Sequence, residues 1–153
     1  MDFVIKTAIG NLKITCEGSQ IIKIEMTDEN ENKNLNKIQS EIKNKFAGYF
    51  NGDRLLDDLP IKIKATPFRE KVYRELLKVP YGQTVTYKDL AIRINSPNAA
   101  RAVGSAMKNN PLPFAIPCHR VVATNNPGAY AYGEDLKYFL LDMEKVNTHK
   151  FNL

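Results

Sequence analysis

Cys118 and His119 stand side by side in the segment Pro117-Cys118-His119-Arg120-Val121-Val122. A thiol is a useful nucleophile only as its thiolate, and a neighbouring base or positive charge is the usual way to obtain one. At an unshifted pKa near 8.5, only a few per cent of a cysteine would be thiolate at neutral pH. The pair alone admits a second reading, a small buried hydrophobe beside an ordinary histidine. The other cysteine and histidine, Cys16 and His149, lie far away in the chain. Cys16 ends a predicted strand and reads as a packing residue, and His149 falls in a polar tail.

The elements that must position this pair belong to a chain of 153 residues, 43% hydrophobic and 25% charged. That length can bury one core or two small ones. The net charge of +5 fits a nucleic-acid partner and fits plain solubility equally well. There is no Cys-x-x-Cys and no His/Cys cluster at zinc spacing, so no metal is expected. Two distant cysteines do not make a disulfide framework, which favours a reducing, cytoplasmic location. The stretch Met1 to Lys6 lacks the regions of a signal peptide, and no apolar run approaches a membrane span.

Residues 2–26 read as three strands. Gly10-Asn11 signals a hairpin after Phe3–Ile9, Glu17-Gly18-Ser19 signals a second turn, and Ile22, Ile24 and Met26 alternate with polar neighbours. From about Leu35 to Phe50 the period becomes helical, with Ile38, Ile42, Phe46 and Phe50 on one stripe. Asp57-Asp58-Leu59-Pro60 looks like a boundary. The reading is α+β: a small N-terminal antiparallel-sheet domain with a helix over 1–60, then a mainly helical domain over 61–153.

In the second part, Thr66-Pro67 starts a helix with Phe68, Val72 and Leu76 as its stripe. Thr86-Tyr87-Lys88-Asp89 opens a short helix with Tyr87, Leu90, Ala91 and Ile94 on one face. Ser96-Pro97 caps the next, Asn98 to Lys108. Two short helices joined by a tight turn are a helix-turn-helix candidate. The second carries Ala99, Ala100, Ala102, Gly104, Ser105 and Ala106, and apart from Arg101 it offers almost no base-reading side chain. Such a smooth helix either presses into the minor groove or packs closely against its neighbours inside the domain. The last helix, Glu134 to Val146, carries Leu136, Phe139, Leu140 and Met143. Glu144 stands at the border of that face, pointing either into a site or to solvent.

Ile116-Pro117-Cys118-His119-Arg120-Val121 resembles the signature of the O6-alkylguanine-DNA alkyltransferases. Ala99-Ala100-Arg101-Ala102-Val103-Gly104, Ala106-Met107, Asn110-Pro111, the Thr86-Tyr87 helix start, Leu140-Leu141 and Glu144 follow that family in order and spacing, over roughly residues 66–146. The resemblance implies direct DNA repair. A damaged guanine is rotated out of the duplex, and one cysteine takes its alkyl group irreversibly, once per molecule and without a cofactor. O4-alkylthymine is an expected second substrate. The partner implied is double-stranded DNA, met through the minor groove by a winged helix-turn-helix-like unit. A monomer that does not bind membranes is expected.

The resemblance also implies roles. Cys118 corresponds to the alkyl acceptor, His119 to the base acting through a water, and Glu144 to the carboxylate that orients it. Asn110 corresponds to the residue tying the preceding turn to the site, and Tyr87 to the hydroxyl that protonates the departing guanine. Tyr87 serves equally as a packing residue on its helix. Arg101, between Ala99, Ala100 and Ala102, corresponds to the finger that fills the vacated stack, although a phosphate contact would also use it. Pro113, Val121, Tyr130 and Ala131 correspond to the guanine pocket. Two positions depart from the family, Ala131 where serine is common and Tyr132 where glycine is common. A ring at Tyr132 is expected to restrict bulky O6 substituents. A turnover Cys hydrolase or acyltransferase would use the same pair but would not need the smooth helix. A non-catalytic lesion sensor would lack Cys118, and a plain helix-turn-helix regulator would need base-reading side chains.

Overall fold

A computed structural model describes residues 1–151. The chain divides into two compact units, one formed by Met1–Ile63 with Pro111–Ala115, the other by Lys64–Asn110 with the chain from Ile116 onward.

The first unit holds an antiparallel sheet in the order β1 (Asp2–Thr7), β2 (Gly10–Glu17), β3 (Gln20–Thr27), followed by α1 (Lys37–Phe50). The first turn falls at Ala8-Ile9, two residues before the expected Gly10-Asn11, and Gly10 (φ 121°) opens β2 instead. In β3, Ile21 and Ile24 are buried, while Ile22 is half-buried and Met26 exposed. The expected alternation fails at Ile22 because it is the extra residue of a bulge, left without a partner where Thr15 pairs with Lys23 and Cys16 with Ile21; Met26 keeps the face of Ile24 but lies exposed near the end of the strand. Asn36 caps α1 in a reciprocal capping box with Gln39, so the helix starts late and Ile38 lies exposed in its first turn. Tyr49 joins Ile42, Phe46 and Phe50 in the core. Ile61 and Lys62 join this unit because the Lys62 N–H donates to the Ile21 carbonyl at 2.9 Å. Pro111–Ala115 joins it through the Ile24 N–H, which donates to Pro111 at 2.9 Å, and through Phe114, edge-on to Phe50.

The second unit contains α2 (Pro67–Leu76), β4 (Val85–Thr86), α3 (Tyr87–Arg93), α4 (Ala100–Lys108), β5 (Val121–Val122) and α5 (Glu134–Asn147). Thr66 and Thr86 cap α2 and α3 through their hydroxyls. The α2 stripe is Val72, Tyr73 and Leu76, with Phe68 half-buried. The Tyr73 hydroxyl donates to the Ala106 carbonyl at 2.7 Å and locks α2 to α4. Helix α3 ends with Asn95 in the left-handed region (φ 60°), and the Asn95 and Ser96 amides close back onto Ile92 and Ala91. That closure makes the turn tight and delays α4 to Ala100, two residues beyond the expected Asn98. Ser96 and Pro97 lie in the turn, and Ala99 takes the N-cap position without a side-chain cap. The parallel pair β4–β5 aligns Val85 with Val121, so the strand leading into α3 lies beside the strand leaving Cys118.

The last helix departs most from expectation. Its buried residues are Lys137, Leu140 and Glu144, whereas Phe139 is 45% exposed and Leu136 and Met143 are half-buried. The stripe is rotated because two charged side chains find partners inside the unit, and hydrophobic periodicity assigns such residues to solvent.

Candidate active site

Cys118, His119 and Arg120 form a single 3-10 turn, which ends where the Val121 N–H donates to the Cys118 carbonyl. Asn110 spans the approach to this turn, its amide donating to the Ile116 carbonyl at 2.9 Å. Cys118 is almost fully buried, and burial pushes its thiol up to about 11. Asn110 and the charge on Lys137 pull it back only in part. At that value roughly one molecule in ten thousand carries a thiolate at neutral pH, not a few per cent. The group therefore needs a base at the moment it reacts.

The base is adjacent. His119 is fully buried, and its Nε2–H donates to Glu144 Oε2 at 2.7 Å. With Nε2 holding the proton, Nδ1 is the basic nitrogen of the ring. Glu144, 1% exposed, points inward, which resolves its position at the border of the helix face. Arg120 clamps the same carboxylate from the side, Nε to Oε1 at 2.7 Å and Nη2 to Oε2 at 3.0 Å. Its Nη1 donates to the Val79 carbonyl at 2.8 Å, and its guanidinium lies 5.8 Å from the Tyr81 ring centroid. The Gly82 N–H adds a bond to Oε1 at 3.3 Å. Gly82 has φ 81°, and a Cβ there would run into the Thr148 side chain, so only glycine brings this N–H to the carboxylate.

Burial would raise the Glu144 carboxyl, but His119 and Arg120 outweigh it and hold it far below the usual range. Burial drives His119 the other way, below its ordinary 6.5, against the attraction of Glu144. The balance is physical: Arg120 already neutralises Glu144, so His119 rests neutral and ready to accept a proton.

Cys118 lines a cavity of about 350 Å³ together with Tyr87, Gly104, Met107, Lys108, Ala129, Tyr130 and Ala131. The half-buried Tyr87 hydroxyl approaches the Ala129 carbonyl at 3.4 Å, and burial raises it above its ordinary 10.0. Gly128 (φ 75°) lets the loop pass close, since a Cβ would stand 3.0 Å from that hydroxyl. The buried Tyr130 hydroxyl has no hydrogen-bond partner among the described residues, and burial drives it strongly upward. Tyr132 is not a lining residue. Its ring meets Tyr130 edge-on at 5.6 Å between centroids. Val121 also lies behind the surface, buried in β5, and Pro113 belongs to the 111–115 segment of the first unit.

On α4, Arg101 and Ala102 are exposed, Ala99 and Ala100 are half-buried, and Ala106 is buried. The small residues thus lie exposed or half-buried at 99, 100 and 102 and closely packed at Ala106. Arg120, Lys137 and Gly82 were missed by the sequence reading. Arg120 lies inside the motif itself. Lys137, Leu140 and Glu144, spaced i, i+3 and i+7, share one helix face, and that spacing was the available signal.

Residues 67–146, a little over half of the chain, match the family model described as "6-O-methylguanine DNA methyltransferase, DNA binding domain". A probable methylated-DNA–protein-cysteine methyltransferase of Acanthamoeba polyphaga mimivirus is 40% identical over 151 residues, covering 95% of this chain and 97% of that protein. The constitutive Bacillus subtilis methylated-DNA–protein-cysteine methyltransferase is 39% identical over 126 residues, covering 81% and 74%. Among solved structures, Mycobacterium tuberculosis O6-methylguanine methyltransferase superposes with a TM-score of 0.84 at 30% identity, covering 95% of this chain and 93% of that one. A Mycobacterium tuberculosis structure in complex with DNA gives 0.84 at 31%, covering 94% and 92%. By sequence over nearly its whole length and by fold, the chain belongs to the methylated-DNA–protein-cysteine methyltransferase family.

Proposed function

We propose that this protein repairs O6-alkylguanine in double-stranded DNA, mainly the methyl lesion, by transferring the alkyl group to Cys118. The observation that carries the reading is a buried thiol lining a cavity, beside an imidazole whose far nitrogen is fixed on a buried carboxylate. His119 takes the thiol proton at Nδ1, and Glu144 stabilises the imidazolium that forms. Sγ attacks the alkyl carbon, the S–C bond forms and the C–O6 bond breaks. The electron pair of the broken bond stays on the guanine, which accepts a proton from the Tyr87 hydroxyl. The imidazolium of His119 then gives up its proton and Tyr87 regains one through solvent, so that the net proton movement is from thiol to guanine; the product is a thioether that mild conditions do not hydrolyse.

A base inside the stack is out of reach of a buried thiol, so the guanine must leave the duplex. Arg101, exposed on α4 with Ala99, Ala100 and Ala102 beside it, fits the role of filling the vacancy from the minor groove. Asn110 anchors the approach to the reactive turn, and Tyr130 and Ala131 form the wall, with Val121 and Tyr132 supporting it. Pro113 is assigned to the pocket by resemblance alone. The alkyltransferase and DNA-binding machinery belongs to the second domain, and the protein acts as a monomer. O4-alkylthymine is a second substrate on the same reading. Among the described residues no helix is long and apolar enough to cross a membrane.

The test is to incubate the protein with duplex DNA containing O6-methylguanine and to map the product by mass spectrometry. One methyl on the Cys118 peptide per molecule is expected. Multiple turnovers would indicate a hydrolytic or acyl-transfer cycle, and labelling elsewhere would also overturn the reading.

A further inference from the structure

Helix α2 reaches α4 at two levels. Inside the unit, the Tyr73 hydroxyl donates to the Ala106 carbonyl at 2.7 Å. One turn earlier on α2, at the surface, Arg69 Nη2 donates to Ser105 Oγ at 3.2 Å. Residues 69 and 73 are neighbours on α2, as 105 and 106 are on α4, so the buried bond fixes where the outer one falls. Arg101 and Ser105 are both exposed and stand four apart, on the same face of α4. A guanidinium from α2 is thereby delivered onto the outward face of α4, one turn beyond Arg101.

This guanidinium is not neutralised. Arg54, Arg74 and Arg120 each hold a carboxylate, those of Asp58, Glu70 and Glu144. Arg69 has no carboxylate partner among the described residues, because its chain neighbour Glu70 turns to Arg74 at 3.1 Å. Ser105 takes one of the five N–H groups of Arg69 and none of its charge. The hydroxyl therefore holds the side chain in place and leaves it fit for an anion.

We propose that Arg69, seated on Ser105, is a phosphate-binding residue that holds one phosphodiester of the duplex lying against α4. The proposal rests on the reading that α4 meets double-stranded DNA. A guanidinium suits this ligand because its planar fork matches two phosphate oxygens and its charge persists at any working pH. A phosphate carries no sequence, so the contact selects no base. It sets where α4 lies along the strand, and with it where Arg101 meets the stack. The bonds at Tyr73 and Ser105 are already made in the protein alone, so little side-chain freedom is lost on binding.

Each phosphate neutralised releases counterions and adds about −0.9 to the slope of log affinity against log salt. Fluorescence anisotropy of a labelled, undamaged duplex, titrated from about 50 mM to about 200 mM salt, reads that slope. Arg69→Gln should make it shallower by about 0.9, so that the deficit of the variant shrinks roughly 3.5-fold over that range. Arg69→Lys keeps the charge and should keep the slope. The same change is expected on a duplex containing O6-methylguanine, since the lesion leaves the backbone unaltered. A weaker but parallel salt plot for Arg69→Gln would overturn the proposal, because a packing defect lowers affinity without changing the number of phosphates neutralised. An equal loss of slope in the Lys variant would overturn it too. Should Arg69→Gln fail to fold, Ser105→Ala takes its place: it unseats the guanidinium and should weaken binding roughly two- to tenfold with the slope kept, and unchanged affinity would count against the seat. Failure of the repair reading looks different, as duplex binding with no methyl on Cys118.

Discussion

Glu144 is bonded by His119, by two nitrogens of Arg120 and by the Gly82 amide. Glu144→Gln leaves one carbonyl oxygen for these donors and turns an NH₂ toward at least one of them. Breaking a buried ion pair by removing one partner costs about 3–5 kcal/mol. Arg120 keeps 12% exposure, the Val79 carbonyl and the Tyr81 ring, which places the cost at the lower end, about 3 kcal/mol. For a chain of this size that is a fall in Tm of about 6–12 °C. Arg120→Met strands the carboxylate instead, at a similar cost. The double variant strands neither charge, and replacing a whole buried pair by apolar groups is often nearly neutral. Because Glu144→Gln still leaves a buried carboxamide beside His119 and Gly82, the double variant should cost about as much as one single change, about 3 kcal/mol less than the sum of the two. Urea denaturation of the four proteins measures this coupling. Methyl transfer should not recover with stability, because His119 still lacks the anion that stabilises its protonated form. Additivity within about 0.5 kcal/mol would refute the claim that Arg120 and Glu144 act as one charged unit, and restored transfer would refute the role assigned to Glu144.

Tyr132 packs edge-on against Tyr130, so Tyr132→Gly should raise the benzyl-to-methyl transfer ratio several-fold by letting Tyr130 yield. An unchanged ratio sinks the idea. Arg101→Ala should slow transfer from duplex DNA by at least tenfold while leaving iodoacetamide labelling of Cys118 unchanged, and a uniform loss across the two assays would point to a folding defect. Acid should destabilise the fold in two stages, read as Tm against pH. His119 lies below its ordinary 6.5 in the folded state, so below that pH the unfolded chain binds a proton that the folded chain refuses, and stability falls. Glu144 lies below its ordinary 4.5, so its contribution is complete above that pH and is lost as pH drops further. In alkali, Lys137 (lowered from 10.5 to about 8) should raise Tm between pH 8 and 9, where the unfolded chain keeps a proton that the folded chain has released, and from pH 9 the opposite effect of Cys118 (raised from 9.0 to about 11) should cancel the rise.

The strand-then-helix layout, the caps at Thr66 and Thr86 and the reactive pair were legible because each rests on local chemistry: turn formers, hydroxyls at helix starts, adjacent functional groups. Ile22 departs from the alternation because it is the extra residue of a bulge in β3, which depends on the pairing with β2 and not on any pattern within β3, and Met26 is exposed because it lies near the strand's end on the Ile24 face. Ile38 was misassigned because Asn36 and Gln39 start α1 too late to bury it. The α5 face was misread for a different reason. Periodicity counts lysine and glutamate as solvent residues, and here both are buried on partners from the turn and loop. Where local patterning fails at charged positions of a helix, the failure itself points to the site.

That failure also explains why one helix can organise the chemistry. Lys137 and Glu144 are two turns apart on the same face, about 10 Å along the axis. Glu144 bonds His119 directly, and Lys137 bonds the Val121 and Ala129 carbonyls beside Cys118. The cation faces Cys118, where negative charge appears when the proton leaves, and the anion holds His119, where positive charge appears when it arrives. A field so oriented favours proton transfer from sulfur to imidazole without any movement of the helix. Taken alone it would also favour the charged pair at rest and leave an exposed-charge thiolate open to wasteful alkylation. Arg120 restrains this by sharing Glu144, so that His119 rests neutral and Cys118 rests as a thiol. If Cys118 accepts an alkyl group once, as proposed, a thiol at rest is safer than a standing thiolate, and Arg120 is the residue whose removal should expose the difference.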